Sequence, residues 1–243
     1  FNDNHTTDTG GAVRLLSSYG EFNNSLFHSN SAGNCGGGLE AAGTSSAIIR
    51  NCVFTENMVD VYECGGGLRS VDESIVSITN SIFFENIGTE LTASSDVNIS
   101  YTLIDSSLIS NNNDVLNWLE GNITSEPQFT DLDNRDFTLQ PTSPCIDAGD
   151  PDSELDPDET RADMGVYYFD QIETPIGCTD IDACNYDSYA VADNGSCIYA
   201  EENYDCEGNC IAELDCLGEC GGLAVEDECG ICDGPGPNFV CHN

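Results

Sequence analysis

The sequence predicts an all-β protein: a parallel β-helix, or solenoid, followed by a small disulfide-rich module. Two observations carry this expectation, a repeat in the first hundred residues and a late concentration of cysteines. Three Gly pairs recur, Gly10-Gly11, Gly37-Gly38 and Gly66-Gly67, each followed by a short apolar stretch, polar turn residues and a strand-like run. The runs are Asn24-Ser25-Leu26-Phe27, Asn51-Cys52-Val53-Phe54 and Asn80-Ser81-Ile82-Phe83, with another Asn beyond each Phe at Asn30, Asn57 and Asn86. Phe1 and Asn4 fit the same template one turn earlier, and Val97 to Ile104 reads as a shorter turn with Ile104 in the Phe slot. A period of roughly 26 to 29 residues is that of a solenoid. Gly, Asn and Ser punctuation with period-two alternation makes its elements strands rather than helices.

Equivalent residues of stacked coils meet at about 4.8 Å and form ladders along the axis. Phe1, Phe27, Phe54 and Phe83 are therefore expected to stack inside. Asn24, Asn51 and Asn80 are expected to form a side-chain amide ladder at a turn, as identical Asn in register can. Cys35 and Cys64 occupy one slot in adjacent coils and are expected to pair. Cys52 shares an inward slot with Ser25 and Ser81 and reads as a buried free thiol, while Cys145 has no evident partner. Phe1 falls within a coil. Further coils before it, or a partner over that end, are expected: a second copy in head-to-tail stacking, or another surface protein.

Charge narrows the partners. The chain carries 44 Asp and Glu against five Arg (Arg14, Arg50, Arg69, Arg135, Arg161), a formal net charge of -39. Such a field repels nucleic acid phosphates and anionic headgroups and attracts divalent cations. No segment is apolar for long enough to span a membrane. Of 14 cysteines, ten lie from Cys178 to Cys241, a density typical of oxidising compartments, so the protein is expected to be secreted, extracellular or at the cell surface.

From Asn122 the repeat stops. The following residues include Glu126-Pro127-Gln128-Phe129, Ser143-Pro144-Cys145-Ile146-Asp147-Ala148-Gly149-Asp150-Pro151-Asp152, Asp156-Pro157-Asp158 and Arg161-Ala162-Asp163-Met164-Gly165. This string resembles the closing segment of right-handed β-helix proteins of the pectate-lyase-like superfamily, especially large secreted and surface proteins of marine Bacteroidetes. The resemblance implies a right-handed solenoid and a final strand and loop that cap its C-terminal end. After Thr174-Pro175 come Gly177-Cys178-Thr179-Asp180, Ala183-Cys184-Asn185-Tyr186 and Gly195-Ser196-Cys197, then copies of a second type around Cys206/Cys210, Cys216/Cys220 and Cys229/Cys232. These resemble repeats of the same class of proteins, in which a sorting domain for type IX secretion often follows. The organisation expected is coils over 1–125, a closing segment over 126–172, one Cys-rich repeat over 173–200 and a Cys-rich stalk over 201–243. With few apolar residues between them, Cys178, Cys184, Cys197, Cys206, Cys210, Cys216, Cys220, Cys229, Cys232 and Cys241 are expected in disulfides whose connectivity stays open. The paired spacings also fit zinc, although no well-placed His accompanies them.

Calcium is the one cofactor expected, because clustered carboxylates supply the six to eight oxygens it prefers. The candidates are Asp147, Asp150, Asp152, Asp156, Asp158 and Asp163 in the closing segment, and Asp180, Asp182, Asn185, Asp187 and Asp193 in the tail. The alternative for the first group is a solvated acidic turn with Arg161 paired to one Asp. Arg14 and Arg69 fall near one place on successive coils and read as ion-paired. Among the acids of the coils, Glu56, Asp60, Glu63, Asp72, Glu73, Glu85 and Glu90, no pair recurs as a cleft would require. His5, His28 and His242 read as isolated surface residues. No catalytic residue is assigned. The function expected is a non-catalytic extracellular structural or adhesive protein, a filament or matrix subunit that could also contact glycans. The alternative is a polysaccharide lyase or glycoside hydrolase whose cleft lies outside or is obscured in this segment. Sequons start at Asn4, Asn23, Asn98, Asn122 and Asn194.

Overall fold

A computed structural model of the chain describes residues 1–61, 64–111, 115–172, 175–227 and 230–233. The expectations for Glu63, Cys229, Cys241 and His242 lie outside the described residues. The chain divides into two units, Phe1–Thr174 and Pro175–Asn243, at the composition change after Thr174.

The first unit is a parallel β-solenoid. Its first sheet stacks β2 (Val13–Leu16), β6 (Leu39–Ala42), β10 (Gly65–Ser70), β13 (Thr89–Ala93) and β15 (Ile109–Asn111), all parallel. The second stacks β3 (Tyr19–Asn23), β7 (Ser46–Arg50), β11 (Ile75–Thr79), β14 (Val97–Ser100) and β16 (Leu116–Trp118). The third holds β4 (Leu26–His28), β8 (Val53–Thr55) and β12 (Ile82–Phe84), continued by bridges through Leu103 and Ile123. A short row of β1 (His5–Thr6), β5 (Ser31–Ala32) and β9 (Met58–Val59) closes the coil. Where this row turns into the first sheet, coils approach so closely that a Cβ on Gly38 or Gly67 would sit 2.6 Å from a carbonyl oxygen of the next coil. That contact restricts both positions to glycine.

Alternate residues point inward and form columns. Leu39, Leu68 and Leu91 are in register and fully buried. Phe27, Phe54 and Phe83 stack with centroids 4.2 and 4.5 Å apart and planes within 5° and 3° of parallel. Phe1 joins the stack at 4.7 Å and is 52% exposed. Ile104 is buried in the next slot.

The amide ladder forms one column away from where the sequence suggested it. It runs through Asn4, Asn30, Asn57 and Asn86, each Nδ2 donating to the next Oδ1 at 2.8 Å. Each Oδ1 also accepts the backbone N–H of the preceding Asn, and Nδ2 of Asn30, Asn57 and Asn86 donates to the carbonyl of the Phe in the preceding coil. Asn24, Asn51 and Asn80 serve the turn instead. All three adopt left-handed backbone, φ 47°, 50° and 50°, which Asn tolerates better than most residues. The ladder ends at Glu90. This carboxylate, 2% exposed, accepts from Asn86 Nδ2 and so replaces the missing next Asn.

Residues 126–172 also differ from expectation. They do not cap the end of the stack but run back along the outer face of the third sheet. The antiparallel pair β17 (Phe129–Asp131) and β18 (Asp136–Leu139) places Phe129, Phe137 and Leu139, together with Cys145 and Met164, over outward-facing Val53, Ile82 and Leu103. Phe137 reaches the His28 ring at 5.1 Å, Arg135 binds Asp3, and Gly165 N donates to Asn80 O. The third sheet is apolar on its inner face and largely so on its outer one, where Val53, Ile82 and Leu103 need a cover.

The second unit has a small parallel pair, β19 (Ile176–Gly177) and β20 (Ala192–Asp193), and three loops of one design. In each, Asp205, Asp215 or Asp227 exchanges backbone bonds across the loop and is followed by a left-handed Gly208, Gly218 or Gly230. Disulfides join Cys178–Cys197, Cys184–Cys206, Cys210–Cys220 and Cys216–Cys232. The near neighbours Cys206/Cys210 and Cys216/Cys220 are therefore not paired with each other, and these four sulfurs, held in disulfides, offer no thiolate to zinc. In the solenoid Cys35 pairs with Cys64, Cα atoms 5.4 Å apart.

The two Asn columns predict unequal responses to mutation. Asn57→Ala leaves buried ladder partners without hydrogen bonds and should lower unfolding free energy by about 2–4 kcal/mol. Asn51→Gly keeps the positive φ and should change it by less than about 0.5 kcal/mol. Urea titrations of the two variants measure the contrast. A separate expectation concerns Thr55, whose buried Oγ1 has no hydrogen-bond partner. Thr55→Val should stabilise by about 1 kcal/mol in the same assay.

Candidate functional site

Several charged groups of the coils are fastened to one another along the axis. Arg14, Glu40 and Arg69 are in register on β2, β6 and β10. Glu40, 1% exposed, takes Arg14 Nε at 3.1 Å, Arg69 Nη1 at 2.8 Å and the Thr9 hydroxyl at 2.7 Å. Arg50 binds Glu21 of the preceding coil, and Arg135 binds Asp3. Arg161, expected beside an Asp, instead donates its Nε to Gly149 O and lies over the Tyr101 ring at 5.6 Å.

His28 is not a surface residue as expected. It is 2% exposed, with Nε2 2.7 Å from Glu56 Oε2 and 3.0 Å from Ser29 Oγ. Ser, His and Glu in contact suggest nucleophile, base and orienting acid, but both partners meet the same nitrogen. A relay needs the acid on Nδ1 and the hydroxyl on Nε2, so this cluster is an inter-coil clamp. His5 is exposed and bonds Ser31. The Cys52 and Cys145 thiols are buried, and burial pushes them up to about 11 and about 12, which keeps them protonated and inert.

The carboxylates of the closing segment are drawn together by backbone N–H groups. Asp163 accepts from Asp147 N and Phe169 N, Asp156 from Asp163 N, and Asp158 from Thr160 and from Gln171 N. Asp150 accepts from Asp152 N, and its own N–H donates to Asn80 Oδ1. Asp147 Oδ2 accepts from Gln171 Nε2, while its Oδ1 is buried without a partner. Burial, then the nearby charges of Asp156 and Asp147, push Asp163 up to about 7, and burial raises Asp156. An orphaned oxygen amid crowded like charges suits a divalent cation. In the arrangement present, however, among the described residues, the three metal-type ligand atoms gathered within 4.8 Å belong to Cys178, Asp193 and Cys197. Those two cysteines are disulfide-bonded to each other. A cation in the loop would have to draw in Asp147, Asp150, Asp152 and Asp156, since the oxygens of Asp158 and Asp163 already hold N–H groups.

The tail candidates are local turn caps. Asp180, Asp187 and Asp193 each accept from the backbone two residues on, namely Asp182, Tyr189 and Gly195. Asn185 ties to Ser196 O and Ile198 N.

Two recesses of the solenoid unit bear on function. A groove of about 710 Å³ lies between the Asn24 and Asn51 turns and the 150–168 loop. A smaller one of about 280 Å³ is lined by Glu85, Glu90, Asp105 and Glu126. Burial pushes Glu90 up to about 7 against the Asn86 bonds that favour its charged form, and Asp105 adds to the rise. The Ser107 hydroxyl and N–H hold Asp105 below the usual range. By sequence Glu90 is one scattered acid among several. The signal that sets it apart is the absence of an Asn three residues after Ile104, where the ladder needs another acceptor.

The fold and these sites define a parallel β-solenoid with a disulfide-rich C-terminal region. Comparison with family models, curated proteins and solved structures finds no match.

Glu90 sets a pH dependence. Its folded pKa, about 7, lies above the usual 4.5, so the folded form holds the extra proton between those values. Glu90's contribution to stability is fully present below about pH 4.5 and is lost as pH rises through about 7. Glu90→Gln retains an acceptor for Asn86 and should flatten this part of the profile, giving a higher melting temperature than wild type at pH 8 and a smaller difference at pH 5.

Proposed function

We propose that the chain is a non-catalytic extracellular structural or adhesive protein, with its solenoid as a rigid scaffold. The observation that supports this most is the axial fastening: Arg14 and Arg69 on Glu40, Arg50 on Glu21, His28 on Glu56, and the ladder from Asn4 to Glu90. Groups that a lyase would turn toward a uronate here join one coil to the next. The disulfides support an oxidising, extracellular setting. The reading includes membership of the pectate-lyase-like superfamily of the marine Bacteroidetes type with type IX secretion, supported by the closing string and the cysteine motifs, and partners that are surface proteins, further copies or glycans. Incubation with pectin, alginate and neutral glycans tests it. No unsaturated or reducing ends should appear, and robust turnover would overturn it.

One observation favours a second reading, a carbohydrate-active enzyme. Glu90 and Asp105 line one recess with their pKa values displaced in opposite directions, as an acid and an ionised partner would be. If turnover occurs and Glu90→Gln abolishes it, this reading replaces the first.

We extend the scaffold reading to calcium on the 147–156 loop, supported by the orphaned Asp147 Oδ1 and the crowding around Asp163. Bound calcium would hold the loop's carboxylates together. The melting temperature at pH 7.5 should be higher in calcium than in chelator, and Asp147→Asn should reduce the difference. Equal melting in both would remove the metal.

A further inference from the structure

The column Asn24, Asn51, Asn80 presents one carboxamide per coil, and its last member shows what such a group takes. Asn80 Oδ1 accepts Asp150 N at 2.7 Å, and its Nδ2 donates to Ser153 Oγ at 3.0 Å. The chain's own loop thus supplies a donor and a hydroxyl acceptor to one amide. One and two coils earlier, Asn51 and Asn24 have the same backbone conformation, φ 50° and 47°. Both line the groove of about 710 Å³ alongside Arg50, Asp152, Asp156 and Tyr168. That volume is in the range of small-molecule sites, roughly 300–1,000 Å³.

We propose that this groove binds a neutral glycan, with Asn24 and Asn51 each holding a pair of hydroxyls as Asn80 holds the loop. A carboxamide carries acceptor and donor side by side, which matches neighbouring hydroxyls, each of which can donate and accept. Asp152 and Asp156 add acceptors for hydroxyl protons. Tyr168, 40% exposed, supplies an aromatic surface for the apolar face of a sugar ring. The columns repeat at the spacing of stacked strands, about 4.8 Å, so a ligand extended along the axis meets an equivalent amide at each coil.

The charge of the groove selects a neutral ligand. One wall carries Asp150, Asp152, Glu154, Asp156 and Asp163, and the nearby cation, Arg50, is already paired with Glu21. A uronate or sulfated chain would enter against that field and against the net charge of -39.

This proposal rests on the adhesive reading and names its ligand class. The test uses the whole chain on an array of neutral and anionic glycans in chelator, followed by calorimetric titration of the best neutral binder. Asn24→Gly and Asn51→Gly remove the carboxamides while glycine keeps the positive φ, and melting curves check that folding is unchanged. Neutral glycans should be retained, and each variant should weaken binding by roughly tenfold, the loss of a hydrogen-bonded pair. Retention of anionic glycans alone, no retention of neutral glycans, binding that requires calcium and ignores both substitutions, or unchanged affinity in both variants would each overturn it. Any of these leaves the scaffold reading standing, because that reading is decided by the turnover assay.

Discussion

Axial register is the constraint on which the solenoid depends. Each coil must lie on the next with its Phe over Phe and its Asn over Asn, because an Asn side chain such as Asn57 makes four hydrogen bonds at once: to the next amide, from the preceding amide, from the preceding backbone N–H and to the Phe carbonyl of the preceding coil. A slip of one residue would turn every inward side chain outward and would leave a row of buried amides unpaired. The aromatic stack contributes area and shape, whereas the amides contribute exclusivity, since a phenyl ring tolerates small shifts that a 2.8 Å hydrogen bond does not. Glu90 shows how strict the requirement is. When the repeat decays after Ile104, a carboxylate is buried at an electrostatic cost so that the last amide keeps its acceptor.

The same axial logic organises the charges. A chain with 44 acids and five arginines cannot neutralise itself, and it places the few cations where they join elements. Glu40 is buried only because two guanidinium groups from the coils on either side cover it. Arg135 ties the returning segment to Asp3, 132 residues earlier. Many of the remaining carboxylates, Asp105, Asp131, Asp136 and Asp150 among them, bind backbone N–H groups two or three residues on. This is the Asx-type turn that suits an acidic, loop-rich chain. In the cysteine-rich unit this device becomes the repeat itself: Asp205 and Asp215 each hold a loop closed while disulfides join one loop to another.

The returning segment gives the solenoid unit its two unlike flanks. Over the third sheet it builds a second apolar layer from Phe129, Phe137, Leu139 and Met164. Beside the Asn24 and Asn51 turns it lines a polar groove. The loop that fastens to Asn80 therefore also forms one wall of the recess at the two preceding coils, so the closing of the fold and the candidate binding surface come from one stretch of chain.

Much of this was legible in the sequence, and the boundary has a physical basis. Period, strand class, the inward Phe column and the Cys35–Cys64 pair follow from spacing alone, because stacking puts residues one period apart in contact whatever the turns do. Asn24, Asn51 and Asn80 repeat with the same spacing as Asn30, Asn57 and Asn86, so spacing could not tell which column forms the ladder. That depends on backbone dihedrals: the first set is left-handed, and its Asn80 amide turns to the 150–153 loop. The direction taken by residues 126–172 was equally hidden. Their apolar residues needed a surface, and both the end of the stack and the outer face of the third sheet offered one. The tertiary structure decided for the flank, where Val53, Ile82 and Leu103 would otherwise face water. The sequence by itself determined what repeats and which side chains stack. The tertiary structure decided which repeating polar group points along the axis, which cysteines of the tail meet, and where the returning chain lies, because each of these depends on directions that a one-dimensional period does not contain.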